Sequence, residues 1–221
     1  MKVDQIEGLF PSEVIVLSAP ISEGAIEALH PSERALAANA MPKRVRELAT
    51  GRALAHAALE RLGRPMDAIL NDAQRAPVFP DGVRGSITHC DTRALVAVCW
   101  SEAGSVGIDV EHRSELKESL WPSVFLTAEL AALAATPEDR RGRLALVLFS
   151  AKESLYKAQF PISRTYMGFR ALHVAADEGE LVCTFQEDVA PFERGFVANG
   201  RYLLAAPPTG EVLTGVHIPR R

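Results

Sequence analysis

Hydrophobic side chains recur every three to four residues over three long stretches, which is the spacing of amphipathic helices. The first stretch covers residues 30–63 and is interrupted near Pro42, so it predicts two helices. Residues 114–136 have the same spacing, with a break expected at Pro122. Residues 137–160 predict one long helix, and we expect Pro161 to stop it because proline lacks a backbone donor.

Elsewhere apolar and polar positions alternate, as they do in strands. Residues 13–18 predict an early strand, and residues 93–113 predict a hairpin because two apolar runs flank a polar loop with a glycine. The C-terminal third predicts antiparallel strands joined by turns at 177–179 and 207–210. These strands are predicted at residues 169–177, 180–186, 195–206 and 211–218.

Composition narrows the classes of function. The 221 residues are 48% apolar, and the net charge of −4 provides no basic field, so a nucleic-acid partner is not expected. No apolar run approaches the roughly 20 residues that span a bilayer, and the N-terminus lacks the apolar core of a secretory signal. The three cysteines are widely spaced, which argues against a disulfide framework or a zinc site and favours a cytoplasmic protein.

The stretch SVGIDVEHR, residues 105–113, places two acids in an apolar strand. Asp109 and Glu111 are two positions apart, so their side chains share one face of the strand. Two like charges side by side indicate either a face that is open to water or a cation between the two carboxylates.

A third acid interrupts the apolar pattern of the long helix. At 100° per residue, Leu146 and Phe149 lie within about 40° of Glu153. Lys157 shares that side of the helix, so a partly buried Glu–Lys pair four residues apart is one interpretation. The alternative is that Asp109 and Glu153 act together with Glu111, because three carboxylate oxygen ligands with open positions suit Mg²⁺.

Four blocks in order resemble the signature of the 4′-phosphopantetheinyl transferases. The resemblance covers about residues 40–175 and is to the long single-chain branch of this superfamily, which includes the surfactin-type enzymes and enterobactin synthetase component D. The blocks are PKRVRELATGR at 42–52, GSITHC at 85–90, VGIDVE at 106–111 and FSAKESLYKA at 149–158.

The resemblance implies a Mg²⁺-dependent transferase with holo-[acyl-carrier-protein] synthase activity. The implied reaction moves 4′-phosphopantetheine from coenzyme A to a serine of an apo acyl or peptidyl carrier protein and releases adenosine 3′,5′-bisphosphate. The implied partners are coenzyme A and carrier protein domains of fatty acid, polyketide, nonribosomal peptide or siderophore synthesis, with no membrane partner. A single chain of this length is expected to work as a monomer.

The resemblance also assigns roles to residues. Asp109, Glu111 and Glu153 match the Mg²⁺ ligands, and Glu153 also matches the residue proposed as base for the serine hydroxyl. Lys157 matches the lysine at the pyrophosphate, so Glu153 and Lys157 are the catalytic candidates. The positions matched to coenzyme A binding, besides Asp109, Glu153 and Lys157, are Arg44, Arg52, Arg75, Thr88, His89 and Lys152, and Lys152 is matched to phosphate or the carrier protein.

Simpler interpretations of the substrate-holding residues remain open. His89 is a structural histidine in one of them, Arg44 and Arg52 belong to a solvated basic helix face, and Met167 is either a core residue or a contact of the pantetheine arm. Two other functions also remain open. One is a non-catalytic coenzyme A-binding module, and the other is a different Mg²⁺-dependent phosphoryl-transfer enzyme that acts on coenzyme A or a nucleotide.

The expected fold is α/β (α+β), with two similar subdomains in a pseudo-twofold arrangement. Each subdomain is a small sheet packed on a long helix, and the active site lies at their interface. The loop at Gly104 divides the chain into residues 1–104, the side that binds the nucleotide of coenzyme A, and residues 105–221, which carry the acids and the catalytic helix.

Overall fold

The structure, a computed structural model, describes residues 3–27, 29–64, 67–112, 116–205 and 210–220. Two long helices dominate it, and short helices precede each of them. The α-helices are α1 (Arg34–Ala37), α2 (Pro42–Arg61), α3 (Trp121–Val124), α4 (Thr127–Ala135) and α5 (Glu138–Ser163). The 3-10 helices span Glu23–Ile26, Pro31–Glu33, Glu118–Leu120 and Phe169–Ala171.

The strands form two antiparallel sheets. The first contains β1 (Asp4–Gln5), β2 (Ile15–Pro20), β3 (Val83–His89) and β4 (Arg93–Trp100), in the order β1-β2-β4-β3. The second contains β5 (Ser105–Glu111), β6 (Leu172–Asp177), β7 (Glu180–Phe185), β8 (Val197–Leu204) and β9 (Val212–Ile218), in the order β5-β9-β8-β7-β6.

Each sheet packs against one long helix. Leu54, Ala58 and Leu59 of α2 share a core with Val96 and Val98 of β4. The second core is larger and joins α5 to the five-stranded sheet through residues such as Ala151, Leu155, Val174, Val212 and Val216. The strand and helix periods of the sequence therefore produce two layered units, as expected.

The two units repeat the same order of elements. In each, the first long strand is followed by the long helix, and that strand pairs antiparallel with the last strand of the unit. Ile15 of β2 faces Val98 of β4, and Ser105 of β5 faces Ile218 of β9. The predicted α+β fold with two similar units is therefore confirmed, while the division of the chain after residue 104 stays a prediction.

The predicted hairpin at residues 93–113 is wrong. Strands β4 and β5 belong to different sheets: β4 pairs with β2 and β3, and β5 pairs with β9. Gly104 lies between the two strands with φ of +127°, a conformation that favours glycine. A Cβ there would also lie 2.8 Å from Pro219 Cα, so a larger residue would clash with the backbone. The apolar side chains of the two strands meet instead in a shared cluster that includes Leu95, Ala97, Val106 and Ile108.

The helix predictions need two smaller corrections. Pro42 lies in the first turn of α2, as expected of proline at a helix start. Pro122 also begins a helix, α3, and α5 runs through Pro161 to Ser163 before Arg164 adopts a left-handed conformation. Pro161 lies in the last turn, where the loss of one N–H interrupts little of the helix.

Two further expectations concern turns and membranes. The tail strands are found as predicted, with Gly179 at positive φ in the turn between β6 and β7, but residues 207–209 of the second predicted turn lie outside the described residues. Within the described part of the chain, every helix is too short or too polar to cross a bilayer.

A candidate active site between the two sheets

Asp109 is the centre of a hydrogen-bonded group that joins both units. Its Oδ1 accepts from Lys157 Nζ at 2.6 Å and from Thr88 Oγ1 at 3.0 Å. Its Oδ2 accepts from Ser150 Oγ at 2.8 Å. Asp109 is 5% exposed, so these donors replace the water that its charge would otherwise require. The 105–111 strand, the long helix and Thr88 therefore meet at this carboxylate.

Close packing of α5 on β5 puts Lys157 within reach of Asp109. Gly107 lies against the helix, since a Cβ at this position would approach Ala158 N to 2.6 Å and Ser154 O more closely still. Ser105 Oγ also donates to Ala158 O at 2.6 Å. The missing side chain of Gly107 therefore sets the depth at which the helix presents its functional residues.

Glu153 lies one helical turn before Lys157 and is half-buried. Burial raises the pKa of Glu153, the positive charge of Lys157 opposes this rise, and the negative charge of Asp109 adds to it. Glu153 borders two cavities, one of about 220 Å³ beside Tyr166 and Met167 and one of about 230 Å³ that also contains Lys157. A carboxylate here can bind a cation or accept a proton.

Glu111 follows Asp109 at the end of β5 and is half-buried. Both acids line a third cavity, of about 390 Å³, together with Glu47, His89 and Lys43. In the described ranges, no three Asp, Glu, His or Cys side chains are already gathered as a metal site. The ammonium of Lys157 instead lies 2.6 Å from Asp109 Oδ1 and balances the charge of this carboxylate.

His89 lines that third cavity, and Arg44 contacts it from α2. The guanidinium of Arg44 contacts His89 Nε2 and lies 3.3 Å from Glu47 Oε2. His89 Nδ1 lies 3.6 Å from the same oxygen. Burial lowers the pKa of His89, Glu47 opposes this effect, and the positive charges of Arg44 and Lys157 reinforce it.

Arg75 is exposed and lines the cavity that contains Glu153 and Lys157. It belongs to a short hairpin in which Val78 N donates to Leu70 O at 2.8 Å. The hairpin forms one wall of the cavity and α5 forms the other. The structure therefore brings Arg75 to the same cavity as Glu153 and Lys157, although the two segments are far apart in the sequence.

Arg52 is buried and binds the base of the same hairpin. It is 4% exposed, and its Nε and Nη2 donate to Ile69 O at 2.8 Å and to Asn71 Oδ1 at 2.7 Å. Burial lowers its pKa to about 10. The guanidinium therefore supports the base of the hairpin that carries Arg75, and the phosphate contact of Arg52 stays a prediction.

Lys152 lies elsewhere than the sequence predicted. Its side chain is fully buried, and Nζ donates to Glu129 Oε2 at 2.7 Å and to the carbonyl oxygens of Val124, Phe169 and Leu172. Burial lowers the pKa of Lys152, whereas Glu129 opposes that shift. The predicted contact with phosphate or carrier protein is therefore wrong, because no donor of this ammonium faces the cleft.

Two residues of this site were not predicted from the sequence. Glu47 is 8% exposed and contacts both Arg44 and His89, and Ser150 is fully buried against Asp109. The spacing of Glu47 behind Arg44, at i+3 on a helix, was the one available signal for the first. The second had no signal, because a serine in a helix is most often unremarkable.

The fold and the site define an enzyme that binds an anionic ligand. Where the two similar units meet, Asp109 and Glu111 line one cavity with His89, which Arg44 contacts, and Glu153 lines another with Lys157 and Arg75. Carboxylates that can hold a divalent cation, next to guanidinium and ammonium groups, suit a phosphate-bearing substrate.

Comparisons with known proteins identify the class. The 4′-phosphopantetheinyl transferase N-terminal domain matches residues 32–99, and the 4′-phosphopantetheinyl transferase superfamily matches residues 105–205. The 4′-phosphopantetheinyl transferase Svp of Streptomyces mobaraensis is 39% identical over 179 residues, which are 78% of this chain and 72% of that protein.

Two further relatives agree. The 4′-phosphopantetheinyl transferase PptT of Mycobacterium tuberculosis is 35% identical over 76% of this chain and 70% of its own. Enterobactin synthase component D of Salmonella typhimurium is 36% identical over 61% of this chain and 56% of its own. The chain belongs to the 4′-phosphopantetheinyl transferase superfamily.

The enzyme transfers 4′-phosphopantetheine to carrier proteins, as members of this superfamily do. The predictions of family, enzyme class and reaction are thereby confirmed. Members of the superfamily generally use coenzyme A and Mg²⁺.

Proposed function

We propose that this chain transfers 4′-phosphopantetheine from coenzyme A with Mg²⁺ held by Asp109, Glu111 and Glu153. The observation that carries this proposal is the convergence of Thr88, Lys157 and Ser150 on Asp109 at the junction of the two sheets. Asp109 and Glu111 share a cavity, and Glu153 lies on the facing helix near Asp109. The donor set is entirely carboxylate oxygen, which suits Mg²⁺.

The metal would neutralise negative charge on the pyrophosphate of coenzyme A and thereby favour departure of the nucleotide. The ammonium of Lys157 would neutralise part of the same negative charge. It lies at this site, 2.6 Å from Asp109 and 3.5 Å from Thr88 Oγ1. On the first unit, Arg44, His89 and Arg75 bind the phosphates, and the hydroxyl of Thr88 orients Asp109.

Glu153 is the proposed proton acceptor. The carrier serine oxygen attacks the β-phosphorus, the bond from that phosphorus to the adenosine 3′,5′-bisphosphate oxygen breaks, and the serine proton passes to Glu153 directly or through one water. Burial raises the pKa of Glu153 when no metal is bound to its carboxylate, which is the direction that favours a proton acceptor. Lys157 offsets the charge on the departing phosphate.

The test is a panel of apo acyl and peptidyl carrier proteins incubated with the enzyme, coenzyme A and Mg²⁺. Intact-mass measurement should show addition of phosphopantetheine to at least one carrier, and chelation by EDTA should stop it. Release of adenosine 3′,5′-bisphosphate without a protein acceptor would favour the alternative Mg²⁺-dependent phosphoryl-transfer enzyme. Binding of coenzyme A without turnover on any carrier would favour the non-catalytic module.

The same proposal includes the assembly and location of the enzyme. Both walls of the cleft come from one chain, so we expect a cytoplasmic monomer whose units divide after residue 104. Sedimentation at working concentration should give the mass of one chain, 23.9 kDa. A dimer that dissociates with loss of activity would contradict this expectation.

A further inference from the structure

Asp72 and Arg164 form an ion pair across the cleft. Arg164 Nη1 lies 3.0 Å from Asp72 Oδ2, and the two residues are 92 positions apart. Asp72 belongs to the hairpin at residues 70–78, and Arg164 ends α5. The pair therefore connects the two walls of the cavity that contains Arg75, Glu153 and Lys157.

The other oxygen of Asp72 shapes the tip of the hairpin. Its Oδ1 accepts from Gln74 N at 3.0 Å and from Ala76 N at 2.8 Å. Arg75 between them has φ of +66°, a conformation that a non-glycine residue adopts only when its surroundings hold it there. Asp72 thus controls both the backbone of Arg75 and its link to the opposite wall.

Arg164 is held on its own side by two contacts. Its backbone N donates to Phe160 O at 2.9 Å, and its guanidinium lies 5.9 Å from the centre of the Phe160 ring. Phe160 lines the same cavity as Arg75. The base of the hairpin is fixed separately by Arg52 through Ile69 and Asn71, so Arg164 is the arginine that ties the tip to the second unit.

We propose that Asp72 and Arg164 are positioning residues for coenzyme A: their ion pair holds the 70–78 hairpin against α5 so that Arg75 faces the substrate. This inference rests on the proposed function, because it assumes that Arg75 binds coenzyme A. Loss of the pair removes this contact of the hairpin with α5, while the anchor at its base is kept. The affinity for coenzyme A then falls, while the groups that perform the transfer are unchanged.

Two substitutions remove the ion pair without removing the rest. Asp72→Asn keeps an oxygen able to accept from Gln74 and Ala76 but loses the charge, and Arg164→Gln loses the guanidinium. Each should raise KM for coenzyme A by about threefold to fivefold, as an exposed ion pair allows. The kcat and the KM for the carrier protein should stay at the wild-type values, and calorimetry with coenzyme A should show the same loss.

The double variant distinguishes a pair from two separate effects. The double variant Asp72→Asn with Arg164→Gln should bind coenzyme A no more weakly than either single variant, because the same contact is removed in each. Arg164→Lys keeps the charge and should recover part of the affinity. The matched control is Arg201→Gln, which removes the exposed pair of Arg201 with Glu180, 3.0 Å apart on β8 and β7, and should change neither constant.

The variant Arg75→Met tests the proposed contact of Arg75 with coenzyme A separately from the positioning role of Asp72 and Arg164. If Arg75→Met weakens coenzyme A binding but the Asp72 and Arg164 variants do not, the positioning role is overturned and the proposed binding role of Arg75 stands. If Arg75→Met has no effect on binding, the assignment of Arg75 is overturned and the inference with it. A fall in kcat with unchanged KM for coenzyme A would also overturn it.

Discussion

Thr88 Oγ1 donates a hydrogen bond of 3.0 Å to Asp109 Oδ1, and this bond joins β3 of the first sheet to β5 of the second. The same oxygen accepts from Lys157 of α5. A single buried carboxylate therefore connects three elements that come from separate parts of the chain. The negative charge of Asp109 is needed for the proposed reaction, whereas its hydrogen bonds hold the three elements together. A substitution that removes only the charge can distinguish these two roles.

Asp109→Asn should lower kcat/KM for carrier modification by at least about a hundredfold, because the neutral amide loses the metal ligand and the partner of Lys157. The amide oxygen still accepts from Thr88 or Ser150, so the far-ultraviolet circular dichroism should match the wild type. Thr88→Ser, which retains the hydroxyl, is the control and should stay within about threefold of wild type. Ordinary turnover by Asp109→Asn would refute the metal assignment.

Lys152→Met should destabilise the protein by about 3–5 kcal/mol, since it leaves Glu129 buried without its cation. The loss is measured as the change in the free energy of unfolding in urea. Adding Glu129→Gln should restore part of it, because the orphan charge is then removed. Lys117→Met, at an exposed position, should change stability little. A stable Lys152→Met protein that cannot bind coenzyme A would contradict this structural role and indicate that Lys152 binds the ligand.

Gly107→Ala should prevent the close approach of α5 to β5 and cost at least about 3 kcal/mol, at the upper end of overpacking penalties. The new methyl group would meet backbone atoms of Ser154 and Ala158, which cannot rotate away. Gly168→Ala is the matched control, because nothing lies within 4 Å of a Cβ there and its φ is −76°. Equal melting temperatures of the two variants would contradict the packing argument.

Glu33 should make stability depend on pH at the acidic end. Burial acts to raise the pKa of Glu33, but hydrogen bonds from His56 and Ile69 N and the charge of His56 outweigh it and lower the pKa below 4.5. A lowered pKa means that the unfolded chain binds the proton more readily. The stabilisation is therefore present above pH 4.5 and lost as pH falls through the folded-state value.

The measurement is the difference in unfolding free energy between wild type and Glu33→Gln as a function of pH. It should be constant above pH 4.5 and shrink as the pH falls further. Glu60→Gln, at an exposed position on α2, corrects for general charge effects. A difference that grows on acidification would have the wrong sign for a lowered pKa.

Much of the site was accessible from the sequence. Asp109 and Glu111 share a strand face because strand side chains alternate, and Glu153 with Lys157 share a helix face because they are one turn apart. Four ordered blocks then indicated the superfamily, which the comparisons confirmed. These features depend on local geometry or on residue order, and both are properties of the chain before it folds.

The tertiary structure decided what depends on distant contacts. Strands β4 and β5 look like a hairpin locally, yet each pairs with strands elsewhere, because strand partners are chosen by burial across the whole fold. Lys152 precedes Glu153 in the sequence, but successive helix positions point about 100° apart. The ammonium of Lys152 is therefore buried against Glu129, while the carboxylate of Glu153 faces the cleft. Asp72 and Arg164 meet only because two units close around the same cavity.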